Sequence, residues 1–142
     1  MSDQGCVLVC VANPSSCRHI VETGIALAQD RNLPVKVVSV LNPGLVFSGE
    51  DAQTLQQLHN ITRRCGAELT VFFNDSPALM TAVYARQCDA VHIVSGIPGG
   101  DNAPKATPFV QMLRELLGNV PFTLVDPDSR LVELPVAVSA AV

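Results

Sequence analysis

Tryptophan is absent from this 142-residue chain, tyrosine occurs once, and the five phenylalanines are dispersed. No aromatic platform for stacking bases is therefore expected. The nine Lys and Arg are scattered and the net charge is −4. Without a basic stripe, nucleic-acid binding is not expected. No apolar run reaches the roughly 18 residues of a membrane span. The apolar tail 131–142 is short and carries Glu133 and Pro135. No basic n-region precedes the first apolar run, as a secretory signal would require. The expectation is a cytoplasmic chain that does not insert in a membrane.

Cysteine is present but unpatterned: residues 6, 10, 17, 65 and 88, an odd number with no CxxC. Cys6 and Cys10 share a strand face at i and i+4, too far apart to bond. The cysteines read as small buried hydrophobes. His19, His59 and His92 show no metal-ligand spacing. His92 reads as a hydrogen-bonded core residue. Asp75 and Asp89 make no acid pair. No Ser/His/Asp order specifies a nucleophile, and the phosphate-loop pattern GxxxxGK is missing. The first strand ends without the paired acids that phosphorelay chemistry needs.

What is present is a strict alternation of strand and helix. Residues 6–12 (CVLVCVA), 35–41 (VKVVSVL), 67–73 (AELTVFF), 89–95 (DAVHIVS) and 120–125 (VPFTLV) are short, mostly apolar runs rich in β-branched residues. They suit strands buried on both faces. Helical spacing appears between them. Ile20, Val21, Gly24, Ile25, Leu27 and Ala28 form the first stripe; Leu55, Leu58, Ile61 and Cys65 the second. Leu79, Met80, Val83 and Tyr84 carry the third; Val110, Leu113 and Leu117 the fourth. Turn and cap signals separate the elements: residues 13–16 (NPSS), 32–34 (NLP), a capping-box spacing at 48–51 (SGED), Gly66, Ser76-Pro77, Thr107-Pro108 and Gly118.

Such alternation implies right-handed crossovers and a three-layer, doubly wound, five-stranded parallel sheet of order 3-2-1-4-5. Residues 1–125 form one α/β domain. Residues 126–142 form a tail, with 131–134 (LVEL) an extra edge strand or a dimer contact. In that order the winding reverses between strands one and four, and ligands bind beyond the strand C-termini there. The glycine-rich run after strand four, Gly96-Ile-Pro-Gly99-Gly100, can place backbone amides near an anion. Lys105 would supply counter-charge and Thr107 a hydroxyl. Ser15 and Ser16, with Arg18 or His19 nearby, open the first helix. As ordinary structure, the same residues are a turn with glycines and a pair of helix caps.

Three stretches, residues 7–18 (VLVCVANPSSCR), 34–41 (PVKVVSVL) and 89–96 (DAVHIVSG), resemble a universal stress protein domain. The Usp-like region of KdpD-type potassium sensor histidine kinases is the most similar variety. The resemblance covers about residues 5–125. Taken with the loop and cap readings, the candidate ligand contacts are Ala12, Asn13, Ser15, Ser16, Arg18, Leu41, Gly96, Gly99, Gly100, Lys105 and Thr107. ATP-binding members carry an acidic residue after strand one and the pattern G-x2-G-x9-G followed by Ser or Thr. Gly96 and Gly99 match the first half. Phe109 stands where the third glycine belongs, Ala106-Thr107 comes three residues early, and Ala12-Asn13 replaces the acid.

The function expected is a non-catalytic stress or signalling module, a degenerate nucleotide sensor linked to potassium or osmotic response. Its candidate ligands are ATP, AMP or a cyclic dinucleotide, with no cofactor required and no metal. Its expected partners are a second copy, through the fifth strand's edge and the tail, and a sensor kinase or other signalling protein. The alternatives are an ATP-binding universal stress protein with weak ATPase activity, Asp101 holding the metal, and a structural partner whose crevice Pro98 or Phe109 fills.

Overall fold

The computed structural model describes residues 5–11, 17–41, 49–97, 107–126, 128 and 130–136, with backbone only at 17, 49–52 and 54. Its elements are β1 (Cys6–Cys10), α1 (Cys17–Arg31), β2 (Val35–Leu41), α2 (Gly49–Cys65), β3 (Glu68–Phe73), α3 (Pro77–Gln87), β4 (Ala90–Gly96), α4 (Pro108–Leu116), β5 (Phe122–Val125) and β6 (Leu131–Leu134). The sheet order is β3-β2-β1-β4-β5-β6. All neighbours are parallel except β5 and β6, which are antiparallel. The expected five-stranded order is therefore present, extended by one strand from the tail.

Side-chain alternation along the strands sorts the core into two layers. Leu8, Cys10, Val38, Ile93, Phe122 and Leu124 pack under α3 and α4. Val7, Val9, Val37, Val94 and Val125 pack under α1 and α2. β1 lies at the centre and is buried at every residue, as its unbroken apolar run requires. Burying each such Val or Leu contributes about 1.5–3 kcal/mol, which is why the central strands anchor the rest.

Local signals mostly act where the chain places them. α1 ends at Asn32 in the left-handed region (φ 58°), with Leu33 N–H donating to Ala28 O at 2.8 Å. Gly66 (φ 74°) does the same for α2, with Ala67 N–H on Thr62 O at 2.9 Å. Gly118 is not a left-handed cap; α4 closes at Leu117, whose N–H reaches Leu113 O. Ser76 precedes Pro77 at the start of α3, but its side chain makes no capping bond. Asn74 Oδ1 instead accepts from Ser76 N–H at 2.8 Å. The turn at 13–16 and the capping-box spacing at 48–51 lie outside the described side chains.

α3 departs most from its expected face. Leu79 is 52% exposed and Val83 41%, while Ala78, Thr81, Ala82 and Ala85 are buried. The helix seats against β2, β4 and α4, and its small residues allow that approach. Met80 and Tyr84 sit at the margin; Tyr84 meets Phe72 edge-on at 5.3 Å and pairs its hydroxyl with Thr70 Oγ1 at 3.1 Å. In α2, Thr62 rather than Cys65 completes the buried stripe.

β5 is not the sheet's outer edge. Phe122, Thr123, Leu124 and Val125 pair with Leu134, Glu133, Val132 and Leu131. The turn between the strands is held by Asp126, whose Oδ1 accepts from Asp128 N–H at 2.9 Å and Arg130 N–H at 2.8 Å. Residues 131–134 are thus the extra strand, paired along β5. Among the described residues no helix is long and apolar enough to cross a membrane.

Candidate functional site

β1 and β4 are adjacent and parallel, with Val9 beside Val94 and Cys10 beside Ser95. β2 and β3 continue the sheet on one side, β5 and β6 on the other. The winding reverses here, and the C-terminal mouth of this strand pair is where an α/β sheet leaves room for a ligand. The chain leaves this end at Val11, Leu41 and Ile97 and re-enters described structure at Cys17, Gly49 and Thr107.

The walls of the mouth are held by backbone bonds. Val11 N–H donates to Val38 O at 3.0 Å and Ile97 N–H to Val125 O at 2.9 Å. Leu41, a candidate contact, is partly buried, and its carbonyl accepts from Asn74 N–H at 2.9 Å. Gly96 closes β4 against α1. A Cβ there would stand 2.6 Å from Ile20 Cδ1, so this glycine permits close helix–sheet packing at the mouth.

Thr107 is the N-cap of α4, its Oγ1 accepting from Val110 N–H at 3.2 Å. Pro108 at N1 has no N–H to offer. With one amide missing and another capped, this helix start offers an anion less than a bare N-terminus would. Arg18 lies in the first turn of α1, with Nε 3.7 Å from Glu22 Oε2. Both side chains are well exposed, and such a surface pair contributes under about 1 kcal/mol. Its guanidinium is thus paired along its own helix. The fold brings Leu41, Gly96 and Thr107 to one end of the sheet. Ala12, Asn13, Ser15, Ser16, Gly99, Gly100 and Lys105 lie outside the described residues, as do Pro98 and Asp101. Phe109 packs partly buried against the layer under α3 and α4.

His92 is buried in β4, as its mid-strand position suggests. Nε2 is 2.7 Å from Thr123 Oγ1 on β5, and Nδ1 has no hydrogen-bond partner among the described residues. Burial, and then the charge of Arg31, hold its pKa below the ordinary value.

At the opposite end of the sheet the structure pairs two cysteines that sequence spacing leaves unrelated. Cys6 Sγ is 3.6 Å from Cys88 Sγ and 3.4 Å from Cys88 O. The thiol of Cys6 donates toward that sulfur, which together with the nearby Lys36 ammonium outweighs burial and lowers the Cys88 thiol to about 7. The same bond, then burial, pushes Cys6 up. Cys10, fully buried, is pushed up to about 12 by burial. Cys10 and the exposed Cys65 have no thiol partner among the described residues. The pairing was readable in principle. Cys6 opens strand one, Cys88 immediately precedes strand four, and order 3-2-1-4-5 makes those strands neighbours. Among the described residues no group of three His, Cys, Asp or Glu could hold a metal ion.

No family model matches the chain, and no curated protein matches it. Solved structures do. The structure of a universal stress protein from Archaeoglobus fulgidus is similar at a TM-score of 0.60 and 23% identity, over 84% of this chain and 97% of that one. The fold is that of the universal stress proteins. A second structure with this fold, the universal stress protein from Archaeoglobus fulgidus in complex with dAMP, has a TM-score of 0.56 and 22% identity, over 88% and 98%. A universal stress protein in complex with cAMP reaches 0.61 at 10% identity, over 87% and 98%. At such identities the universal-stress-protein likeness is one of fold, and function rests on the crevice itself.

Proposed function

We propose that this chain is a non-catalytic, universal-stress-type sensor that binds an adenine mononucleotide at the β1–β4 mouth. The observation carrying this reading is the reversal of winding between β1 and β4, in the fold of two proteins solved with dAMP and cAMP. The preference for a monophosphate over ATP follows from the phosphate side. The second half of the ATP pattern is missing, and Thr107 and Pro108 reduce the amides that the α4 terminus offers. Nothing catalytic is required of the site: a ligand that binds one state of the protein more tightly than another shifts the balance between them.

Titration calorimetry with AMP, cAMP, a cyclic dinucleotide and ATP tests this. The reading expects AMP or cAMP to bind with Kd below about 1 mM and ATP at least about tenfold more weakly, a difference of about 1.4 kcal/mol. Tighter ATP binding with Mg²⁺-dependent hydrolysis would replace it with the ATPase alternative. No binding by any nucleotide would leave a structural partner protein.

The signal is proposed to pass to a second copy and to a sensor kinase of the potassium or osmotic type, following the resemblance of residues 7–18, 34–41 and 89–96. The outer edge of β6, with Leu131 53% exposed, offers a strand for self-pairing. Light scattering is expected to give a dimer that Leu131→Lys weakens; a monomer at high concentration would contradict the pairing.

A further inference from the structure

We propose that Cys6 and Cys88 form a peroxide-responsive dithiol, oxidised to a disulfide that ties the start of β1 to the α3–β4 turn. It lies at the N-terminal end of the sheet, away from the β1–β4 mouth, and does not depend on the nucleotide reading.

The geometry carries the proposal. The two sulfurs are 3.6 Å apart across 82 residues of chain. A disulfide needs about 2.05 Å, so a closure of roughly 1.5 Å joins them. The surrounding backbone holds the two residues together without the bond. Cys6 N–H donates to Asp89 O at 3.1 Å, and Cys88 N–H to Tyr84 O at 2.9 Å. Asp89 takes φ 57° and Gly5 φ 82°. A Cβ on Gly5 would run into Asp89 O and stand 2.7 Å from Val91 Cγ1, so only glycine lets the incoming chain lie this close to the turn.

The two thiols are unequal, as an attacking and a resolving pair should be. Cys88 is half-buried, with an acidified thiol, and can meet a small oxidant. Cys6 is 1% exposed, the more buried of the two. Lys36, on β2 beside β1, supplies positive charge on this side, held 3.7 Å from Glu68.

The chemistry balances with hydrogen peroxide as oxidant. The Cys88 thiolate sulfur attacks one peroxide oxygen, the O–O bond breaks, and hydroxide leaves to take up a proton as water. Cys88 is then a sulfenic acid. The Cys6 sulfur attacks the Cys88 sulfur, the S–O bond breaks, and the leaving hydroxide takes the Cys6 proton as a second water. Two thiols have lost two electrons and two protons, and one peroxide has become two waters.

The test treats the reduced full-length chain with stoichiometric hydrogen peroxide and reads intact mass and non-reducing peptide maps. The expected result is a loss of about 2 Da and a peptide joining Cys6 to Cys88, reversed by dithiothreitol. In Cys6→Ser, the sulfenic acid on Cys88 should persist and be trapped by dimedone, and intramolecular closure should fall at least about tenfold. The proposal is overturned if the wild-type chain gains oxygen without losing 2 Da, or if the linkage maps to other cysteines. It is equally overturned if peroxide leaves Cys88 reduced while Cys65 oxidises. The wild-type readouts decide the matter even if a variant fails to fold.

Discussion

Gly96 at the end of β4 lies directly under Ile20 of α1, so close that a Cβ on the glycine would stand 2.6 Å from Ile20 Cδ1. This contact gives a motif glycine a packing role at the same mouth where a ligand is proposed. Gly96→Ala is expected to lower stability by about 0.5–1.5 kcal/mol, the cost of turning the Cδ1 end of Ile20 away from a new Cβ. Ile20→Val removes the clashing carbon. In the double variant the cost should fall, with a coupling of at least about 0.5 kcal/mol in urea denaturation. Strict additivity would show that Gly96 is not constrained by Ile20.

His92 makes stability depend on pH. Its folded pKa lies below the ordinary 6.5 because burial disfavours the imidazolium. Below pH 6.5 the unfolded chain therefore takes up a proton that the folded chain refuses, and stability falls as pH falls until the folded pKa is reached. Melting temperature measured from pH 7.5 downward should drop below pH 6.5 in the wild type, and less in His92→Asn. Equal slopes would remove His92 from the account. Thr123→Val strips Nε2 of its partner and should cost about 1–3 kcal/mol at neutral pH.

The reversed face of α3 gives a third expectation. Ala82→Leu should destabilise by about 1–3 kcal/mol, since Ala82 is 4% exposed between helix and sheet. Leu79→Gln, at an exposed position, should stay within about 0.5 kcal/mol. The opposite ranking in thermal or urea melts would restore the face expected from hydrophobicity.

That reversal shows where sequence reading succeeds and where it stops. The central strands were legible because Val7, Val9, Ile93 and Val94 sit in runs too apolar for anything but a sheet buried on both faces. The cap at Gly66 was legible because the left-handed region favours glycine, and the break at 32–34 was legible from its Asn and Pro, though not that Asn32 itself takes φ 58°. α3 was misread because alanine carries little hydrophobic signal, yet it is what close packing of a helix on a sheet selects. β6 stood as one of two alternatives, since four residues with a central Glu133 do not distinguish an edge strand from a contact between copies. The Cys6–Cys88 pair was hidden by a sequence separation of 82 and becomes visible only once strand order is known. Of the candidate site, Leu41, Gly96 and Thr107 fall at one end of the sheet by topology alone.

The central claim, adenine mononucleotide binding at the β1–β4 mouth, is tested most directly by following backbone amide resonances while AMP is titrated into the ¹⁵N-labelled chain. The account predicts saturable shifts at Val11, Leu41, Gly96, Ile97 and Thr107, with Cys6 and Cys88 unmoved. Absence of shifts up to about 10 mM AMP, or shifts confined to the other end of the sheet, would contradict it.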